Sequence, residues 1–154
     1  MIEEPRITEL GATPTAFIHL SIPRTEMPAV MGPAIQEVIS TVTGQGVAIT
    51  GAVFAHHLRM EPGRFDFEVG VPVAAAIAPA GRVRAGSRPA TKVAQTVYHG
   101  PYAGLPEAWG RFHAWVEQSG HRWAEDIWEC YLVGPEAEPD PANWRTELNR
   151  PLLD

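Results

Sequence analysis

The sequence predicts an α+β fold made of two copies of a β-α-β-β unit, and two observations carry this prediction. First, segments rich in β-branched and apolar residues occur with one helical segment in each half, in the order strand, helix, strand, strand. Second, FDFEVGVPV and WRTELNRPL resemble each other, since Glu68 and Pro72 recur as Glu147 and Pro151 at one constant offset along the chain. Because one such unit cannot bury its own sheet face, we expect antiparallel sheet, two main helices, pseudo-twofold symmetry and a cleft at the central seam.

The first copy is predicted to span residues 5–73. Its helix is expected between Thr25 as the N-cap and Gly44 as the residue after the last turn, with Pro33 causing a kink or a restart. In the last strand, apolar side chains alternate with Asp66 and Glu68, which predicts one buried and one polar face. The three strands of this unit are predicted at residues 15–22, 47–58 and 65–73, and a further strand segment at residues 6–10 precedes them.

A connector at residues 74–89 and a second copy at about residues 90–152 complete the predicted single domain of residues 1–154. The connector is rich in Ala, Gly, Pro and Arg and has little periodicity beyond a short strand near Val83. In the second copy a helix is expected from Leu105 to Gly120, with Pro106 in its first turn. The strands of this copy are predicted at residues 91–98, 127–133 and 144–152.

The strand at residues 127–133, IWECYLV, contains a carboxylate among apolar neighbours on both faces. Alternation puts Glu129 and Tyr131 on one face and Trp128 and Cys130 on the other. Burying an unpaired carboxylate costs several kcal/mol. Two explanations are open: Glu129 has a structural partner or a wet edge position, or it is kept for a cation or reacting group that enters a cavity.

Composition excludes several classes of function. Hydrophobic residues make up 45% and charged residues 19% of the 154-residue chain, and no apolar run approaches the roughly 18 residues of a membrane span. With no secretion signal, we expect a cytoplasmic protein with no membrane partner. The net charge of −6 argues against nucleic-acid binding by this chain alone.

The sequence predicts no metal and no cofactor. Cys130 is the single cysteine, so it forms no internal disulfide and has no second cysteine at a zinc-ligand spacing. His56 and His57 are adjacent in a strand and point to opposite faces, which disfavours a shared metal ion.

Four segments in order carry a resemblance to a known family. They are VYHGPY, a helix with Ala108 and Trp109, the E-x-Y of Glu129 and Tyr131, and TEL-x-x-P in the last strand. The series resembles the GyrI-like small-molecule binding domain, which also forms the effector-binding part of multidrug-responsive AraC- and MerR-type transcription regulators. The resemblance implies a paired fold whose cleft accepts bulky, flat, often cationic compounds between aromatic walls, with an acidic residue at the bottom.

The resemblance also implies the residues of the site. Glu129 matches the E-x-Y acid, Tyr102 the aromatic residue after G-P, and Glu147 the acid of the last strand. The expected ligand-binding set is Glu129, Tyr131, Tyr102, Tyr98, Trp109, Glu147, Phe54 and His56.

Three functions are compatible with this resemblance. The first is stand-alone binding of a hydrophobic or cationic small molecule, for sequestration or sensing. The second is hydrolysis of cyclopropane-containing genotoxic natural products, with Glu129 and Tyr102 as the catalytic residues. The third is inhibition or modulation of DNA gyrase. The fold uses nearly all of the chain, so we expect no DNA-binding domain within it; homodimer formation is left open.

Overall fold

A computed structural model describes the backbone of residues 1–154 and all side chains except those of Met60 and Glu61. Over these residues the chain forms eight strands and two α-helices, with antiparallel pairing within each group of strands, so the predicted α+β class is confirmed. The elements are β1 (Arg6–Leu10), β2 (Thr13–Pro23), α1 (Met27–Gly44), β3 (Phe54–Glu61), β4 (Arg64–Pro72), β5 (Arg84–Arg88), β6 (Thr91–His99), α2 (Leu105–Gln118), β7 (Ile127–Val133) and β8 (Arg145–Pro151). Short 3-10 helices at Arg24–Glu26 and Tyr102–Gly104 lead directly into α1 and α2.

The chain folds into two compact units, which we call the first unit (residues 11–90) and the second unit (residues 1–10 and 91–154). Strands of the first unit follow the order β3-β4-β2-β5, and those of the second unit the order β1-β6-β8-β7. Strand β1 therefore pairs with β6 rather than with β2, which follows it in the chain, and β5 pairs with β2 rather than with β6. Each unit takes its outer strand from the other half of the sequence.

The structure extends the internal repeat beyond the segments noticed in the sequence. Strand β5 lies inside the predicted connector and corresponds to β1. Arg6 is opposite Gln95 of β6, and Arg84 is opposite Phe17 of β2. The two pairings correspond because Arg6 and Arg84 are 78 residues apart, and so are Phe17 and Gln95. The two proline-flanked segments PRTEMP and PYAGLP, at residues 23–28 and 101–106, are 78 residues apart, as Arg6 and Arg84 are, and they begin the helical part of each unit. The division into copies at residues 5–73 and 90–152 stays a prediction.

Both helices pack on their sheets through side chains four residues apart. Buried residues of α1 are Ala34, Val38 and Val42, and those of α2 are Ala108, Phe112 and Val116. This spacing puts three side chains on one face of a helix, where they exclude water from the sheet. None of the helices in the described part of the chain is long and apolar enough to cross a membrane.

The ends of α1 differ from the prediction. Thr25 lies within the preceding 3-10 helix, and no side chain caps α1, because the chain enters the helix directly from that tighter turn. Gly44 is the last helical residue, and Gly46, with φ of 72°, adopts the left-handed conformation instead. The helix continues through Pro33 without a restart.

The strand predicted at residues 47–58 begins only at Phe54. Before that point, Ile49 makes an isolated bridge to Val73, and the Thr50 amide donates to the Pro72 carbonyl. Gly51 follows, and a Cβ there would lie 3.0 Å from the ring of Pro72. The apolar run thus packs beside the end of β4 without continuous strand pairing.

Candidate ligand-binding site

Strand β7 places Glu129 on the face of the second unit's sheet that is covered by α2. Glu129 stands opposite Leu148 of β8, and Leu148 packs in a cluster with Phe112 and Val116 of the helix. Side chains directly opposite each other in an antiparallel pair share a face. The carboxyl group therefore points into the layer between sheet and helix, and the residue is only 8% exposed.

Two neutral donors hold the Glu129 carboxyl group in place. The indole Nε1 of Trp109, on α2, donates to Oε2 at 2.7 Å, and the hydroxyl of Tyr131, two residues along β7, donates to Oε1 at 2.9 Å. Burial raises the pKa of Glu129 above its ordinary value, and these two hydrogen bonds partly oppose the rise. The result is a fixed acceptor group whose charged form lacks the hydration it would have in water.

Aromatic rings continue the site from Tyr131 outward. The ring of Tyr102 meets that of Tyr131 edge to face at 5.7 Å between centroids, and it lies 4.8 Å from the ring of Trp144 at an angle of 39°. Burial raises the pKa of the Tyr102 phenol, as do the negative charges of Glu136 and then Glu129. Burial also raises the pKa of Tyr131 well above its ordinary value, with the charge of Glu129 adding to the effect. Both phenols are thus neutral donors at physiological pH.

Trp144 lies in the candidate site through its contact with Tyr102, and it was not among the predicted site residues. Its indole Nε1 donates to the carbonyl of Glu138 at 2.8 Å, which sets the ring against Tyr102. An aromatic residue at the start of the last strand of each copy was the available signal, because Phe65 and Trp144 are related by the same offset as Glu68 and Glu147.

Two predicted site residues of the second unit lie away from the Glu129 carboxyl group. Tyr98 is 5% exposed and belongs to the core under α2, and its hydroxyl donates to the Pro101 carbonyl at 2.9 Å, just before Tyr102. Glu147 stands opposite Cys130, on the other sheet face, and accepts from Asn149 Nδ2 at 3.0 Å. Tyr98 thus supports the turn that presents Tyr102, while Glu147 belongs to a different polar group.

The remaining predicted residues, Phe54 and His56, belong to the first unit. His56 lies opposite Glu68 of β4, and its Nδ1 is 3.3 Å from Glu68 Oε1. Phe54 lies opposite Gly70 on the same face. Within the described residues, no three His, Cys, Asp or Glu side chains are grouped so that they could hold a metal ion.

The family of the chain follows from a match over almost its whole length. The model of the GyrI-like small molecule binding domain matches residues 3–152. The chain belongs to the GyrI-like family. No curated protein has detectable sequence similarity to it.

Three solved proteins illustrate how widely this GyrI-like fold is shared. The C-terminal domain of EcmrR has a TM-score of 0.86 at 20% identity, covering 97% of this chain and 96% of that domain. SAV2435, solved with tetraphenylphosphonium bound, has a TM-score of 0.70 at 10% identity, with 97% and 94% covered. A hydrolase from Listeria innocua has a TM-score of 0.61 at 12% identity, with 97% and 91% covered.

At these identities the three solved structures establish only the fold of this GyrI-like chain, and not its ligand or activity. In the structure of EcmrR with DNA, this chain spans 57% of the length of the EcmrR chain that it matches. The complex with DNA is that of the longer EcmrR chain.

Proposed function

We propose that this chain binds bulky or flat hydrophobic cations at Glu129, for sequestration or sensing. The observation that carries the proposal is the burial of Glu129, which is only 8% exposed and accepts hydrogen bonds from Trp109 and Tyr131. The rings of Tyr102 and Trp144 extend this group outward from Tyr131. Membership of a small-molecule binding family supports it.

The physical basis is the cost of the buried charge. Burial leaves the charged form of Glu129 less well solvated in the folded protein than in water, and this loss of solvation raises its pKa. A cation that brings its own apolar surface stabilises that charge, and aromatic faces add about 0.5–2 kcal/mol through cation–π contact. SAV2435, which shares the fold, was solved with such a cation, tetraphenylphosphonium.

The experiment compares a cation with its neutral isostere, using 1-methylquinolinium and 1-methylnaphthalene, with tetraphenylphosphonium as a bulkier probe. Titration is followed by tryptophan fluorescence, since Trp109 and Trp144 both lie in the site. We expect the cations to bind and the neutral isostere to bind more weakly. Replacing Glu129 by Gln should lower cation affinity about tenfold or more, because a hydrogen bond or contact to a charged group is worth roughly 1.5–3 kcal/mol.

The matched control is Glu125→Gln, which removes the same charge from an exposed position just before β7. It should leave the affinity for both cations unchanged. Equal affinity for cation and neutral isostere, or full affinity in Glu129→Gln, would overturn the proposal.

A hydrolytic use of the same carboxyl group is a second proposal, favoured by the raised pKa of Glu129 and by the Tyr102 phenol, whose ring meets that of Tyr131, the donor to Glu129. A buried carboxyl group can donate or accept a proton while water adds to a strained cyclopropane ring. In that reaction Tyr102, rather than Tyr98, would stabilise developing negative charge, because the Tyr98 hydroxyl already donates to Pro101. Mass spectrometry of a cyclopropane substrate incubated with the protein should show a product heavier by one water; an unchanged substrate would rule this out.

A further inference from the structure

The loop between β7 and β8 has no counterpart of similar length in the first unit. Residues 134–144 join β7 to β8, whereas Pro62 and Gly63 alone join β3 to β4. Within this loop the Gly134 carbonyl accepts from the amides of Ala137 and Glu138 at 3.1 and 3.0 Å. These bonds form a turn, which we call the 134–138 turn.

The 134–138 turn is attached to the proposed ligand site by Trp144. The indole Nε1 of Trp144 donates to the Glu138 carbonyl at 2.8 Å, and the same ring packs on Tyr102. A side chain on this turn therefore has a defined position relative to Tyr102.

Glu136 is the side chain that this turn presents to Tyr102. A Cβ built on Gly134 would lie 2.8 Å from the Tyr102 hydroxyl oxygen and 3.1 and 3.2 Å from the two carboxylate oxygens of Glu136. Phenol and carboxylate thus surround the same small volume beside Gly134, which a larger residue would fill. Glu136 is exposed, in contrast to Glu129.

Tyr102 is influenced by both carboxylates. After burial, the negative charge of Glu136 and then that of Glu129 raise the pKa of its phenol. Its ring contacts Tyr131, the donor to Glu129, while its hydroxyl lies beside Glu136. The aromatic residue thus connects a buried and an exposed negative charge.

We propose that Glu136 binds the second cationic centre of an elongated aromatic dication whose first centre is held at Glu129. This rests on the proposed function, and it narrows the ligand class from hydrophobic cations to those with two positive charges separated by a flexible or aromatic spacer. The buried carboxylate supplies most of the affinity, since its charge is the less well hydrated of the two. The exposed carboxylate favours dications over monocations, because only a dication has a second charge to pair with it. This preference is modest, since an exposed ion pair contributes little and is weakened by salt.

The experiment measures affinities of 1-methylquinolinium and of a series of bis-quinolinium compounds with polymethylene bridges of increasing length. The quantity of interest is the ratio of dication to monocation affinity in the wild type and in Glu136→Gln, Glu129→Gln and the control Glu125→Gln. We expect Glu136→Gln to lower that ratio by about two- to fivefold at the best bridge length, the range of an exposed ion pair. Monocation affinity should stay within about twofold in that variant and fall in Glu129→Gln, while Glu125→Gln changes neither.

Each other outcome has one meaning. Binding of the monocation that depends on Glu129, with a dication ratio unchanged by Glu136→Gln at every bridge length, overturns this inference and leaves the proposed function standing. An equal loss for both ligands through slower association, measured by stopped flow, makes Glu136 a general attractor of cations and also overturns it. Absence of monocation binding overturns the proposed function itself. Because Glu136 is exposed, the Gln variant should fold as the wild type does, which thermal unfolding checks.

Discussion

The helix-covered faces of the two units hold different chemistry at corresponding positions. Arg24 and Tyr102 each begin the 3-10 helix before the main helix, and Phe65 and Trp144 lie near the starts of β4 and β8. In the first unit the Arg24 guanidinium carbon lies 4.4 Å from the centre of the Phe65 ring. In the second unit the pair is Tyr102 and Trp144, with centroids 4.8 Å apart. One pair includes a cation, and the other consists of two aromatic rings.

The strands show the complementary difference. Ala55 and Glu129 stand opposite corresponding residues of β4 and β8, and so do His57 and Tyr131. The first unit therefore has a cation on an aromatic ring, with alanine at the position of the carboxylate. The second unit has the carboxylate and the rings, with tyrosine at the position of that arginine. The corresponding positions thus hold an arginine on a phenylalanine ring in the first unit, and a buried carboxyl group with two aromatic rings in the second.

His57 of the first unit and Glu129 of the second unit change the stability of the fold with pH in opposite directions. Burial, followed by the charges of His56 and Arg24, lowers the pKa of His57 to about 4. Burial raises the pKa of Glu129 instead. Both shifts disfavour the charged form, yet one makes folding weaker in acid and the other makes it stronger.

The largest expected effect is the loss of stability that His57 causes in acid. Between its ordinary pKa near 6.5 and about 4, the unfolded chain binds a proton at His57 that the folded chain does not, so the free energy of unfolding falls as pH falls. From pH 7 to 4.5 this loss should be about 2–3 kcal/mol, at about 1.36 kcal/mol for each pKa unit. Urea denaturation at both pH values should show that His57→Phe removes the loss.

The control for that measurement is His19→Gln. His19 lies on the other face of the same unit's sheet, and its side chain is 49% exposed. His19→Gln should lose as much free energy of unfolding in acid as the wild type does, which would place the effect at His57. Equal losses in the wild type and His57→Phe would show that other groups cause it.

A second prediction transfers the chemistry of the first unit into the second. In Tyr102→Arg the guanidinium should stack on Trp144 as Arg24 does on Phe65, and so provide an internal cation. Affinity for 1-methylquinolinium should fall about tenfold or more, and the free energy of unfolding at pH 7 should rise by roughly 1 kcal/mol. Tyr102→Gln separates the loss of the ring from the gain of the charge: if both variants bind equally weakly and neither is stabilised, the internal cation has no effect.

Sequence periodicity was sufficient to predict the strands that carry the candidate site, but not the contacts between their side chains. Strand β7 occupies residues 127–133 as predicted, because its alternation and its apolar residues are unambiguous, and Glu129 is buried as that pattern indicated. Trp144 was not predicted as a site residue, since its contact with Tyr102 depends on the fold of a loop. The pairing of β1 with β6 was also not predicted, because strands so distant along the chain carry no local signal of their partner.

A third prediction concerns the effect of the buried Glu129 charge on the free energy of unfolding. The folded chain holds a proton at this carboxyl group to higher pH than the unfolded chain does, so its contribution to stability is full below the unfolded pKa near 4.5 and is lost as pH rises through the folded pKa. Glutamine keeps an acceptor for Trp109 and a donor for the Tyr131 oxygen without the charge. Glu129→Gln should therefore be at least as stable as the wild type at pH 7, by up to about 1 kcal/mol, while it binds cations poorly. A variant destabilised at pH 7 would show that the charge is compensated in the folded protein.

The smallest expected effect comes from Gly134, where the two units differ most in their connecting loops. An added methyl group would lie 2.8 Å from the Tyr102 hydroxyl and 3.1 Å from Glu136, so both side-chain ends must shift, although the backbone φ of Gly134 is not in the left-handed region. Because these ends are flexible, Gly134→Ala should change the free energy of unfolding by less than about 0.5 kcal/mol. Cation affinity should fall about two- to threefold, since Tyr102 moves relative to Trp144. Gly11→Ala is the matched control, as its Cβ would meet nothing within 4 Å. Unchanged affinity in Gly134→Ala would mean that the ligand does not contact the Tyr102 ring, and it would restrict the site to Glu129, Trp109 and Tyr131.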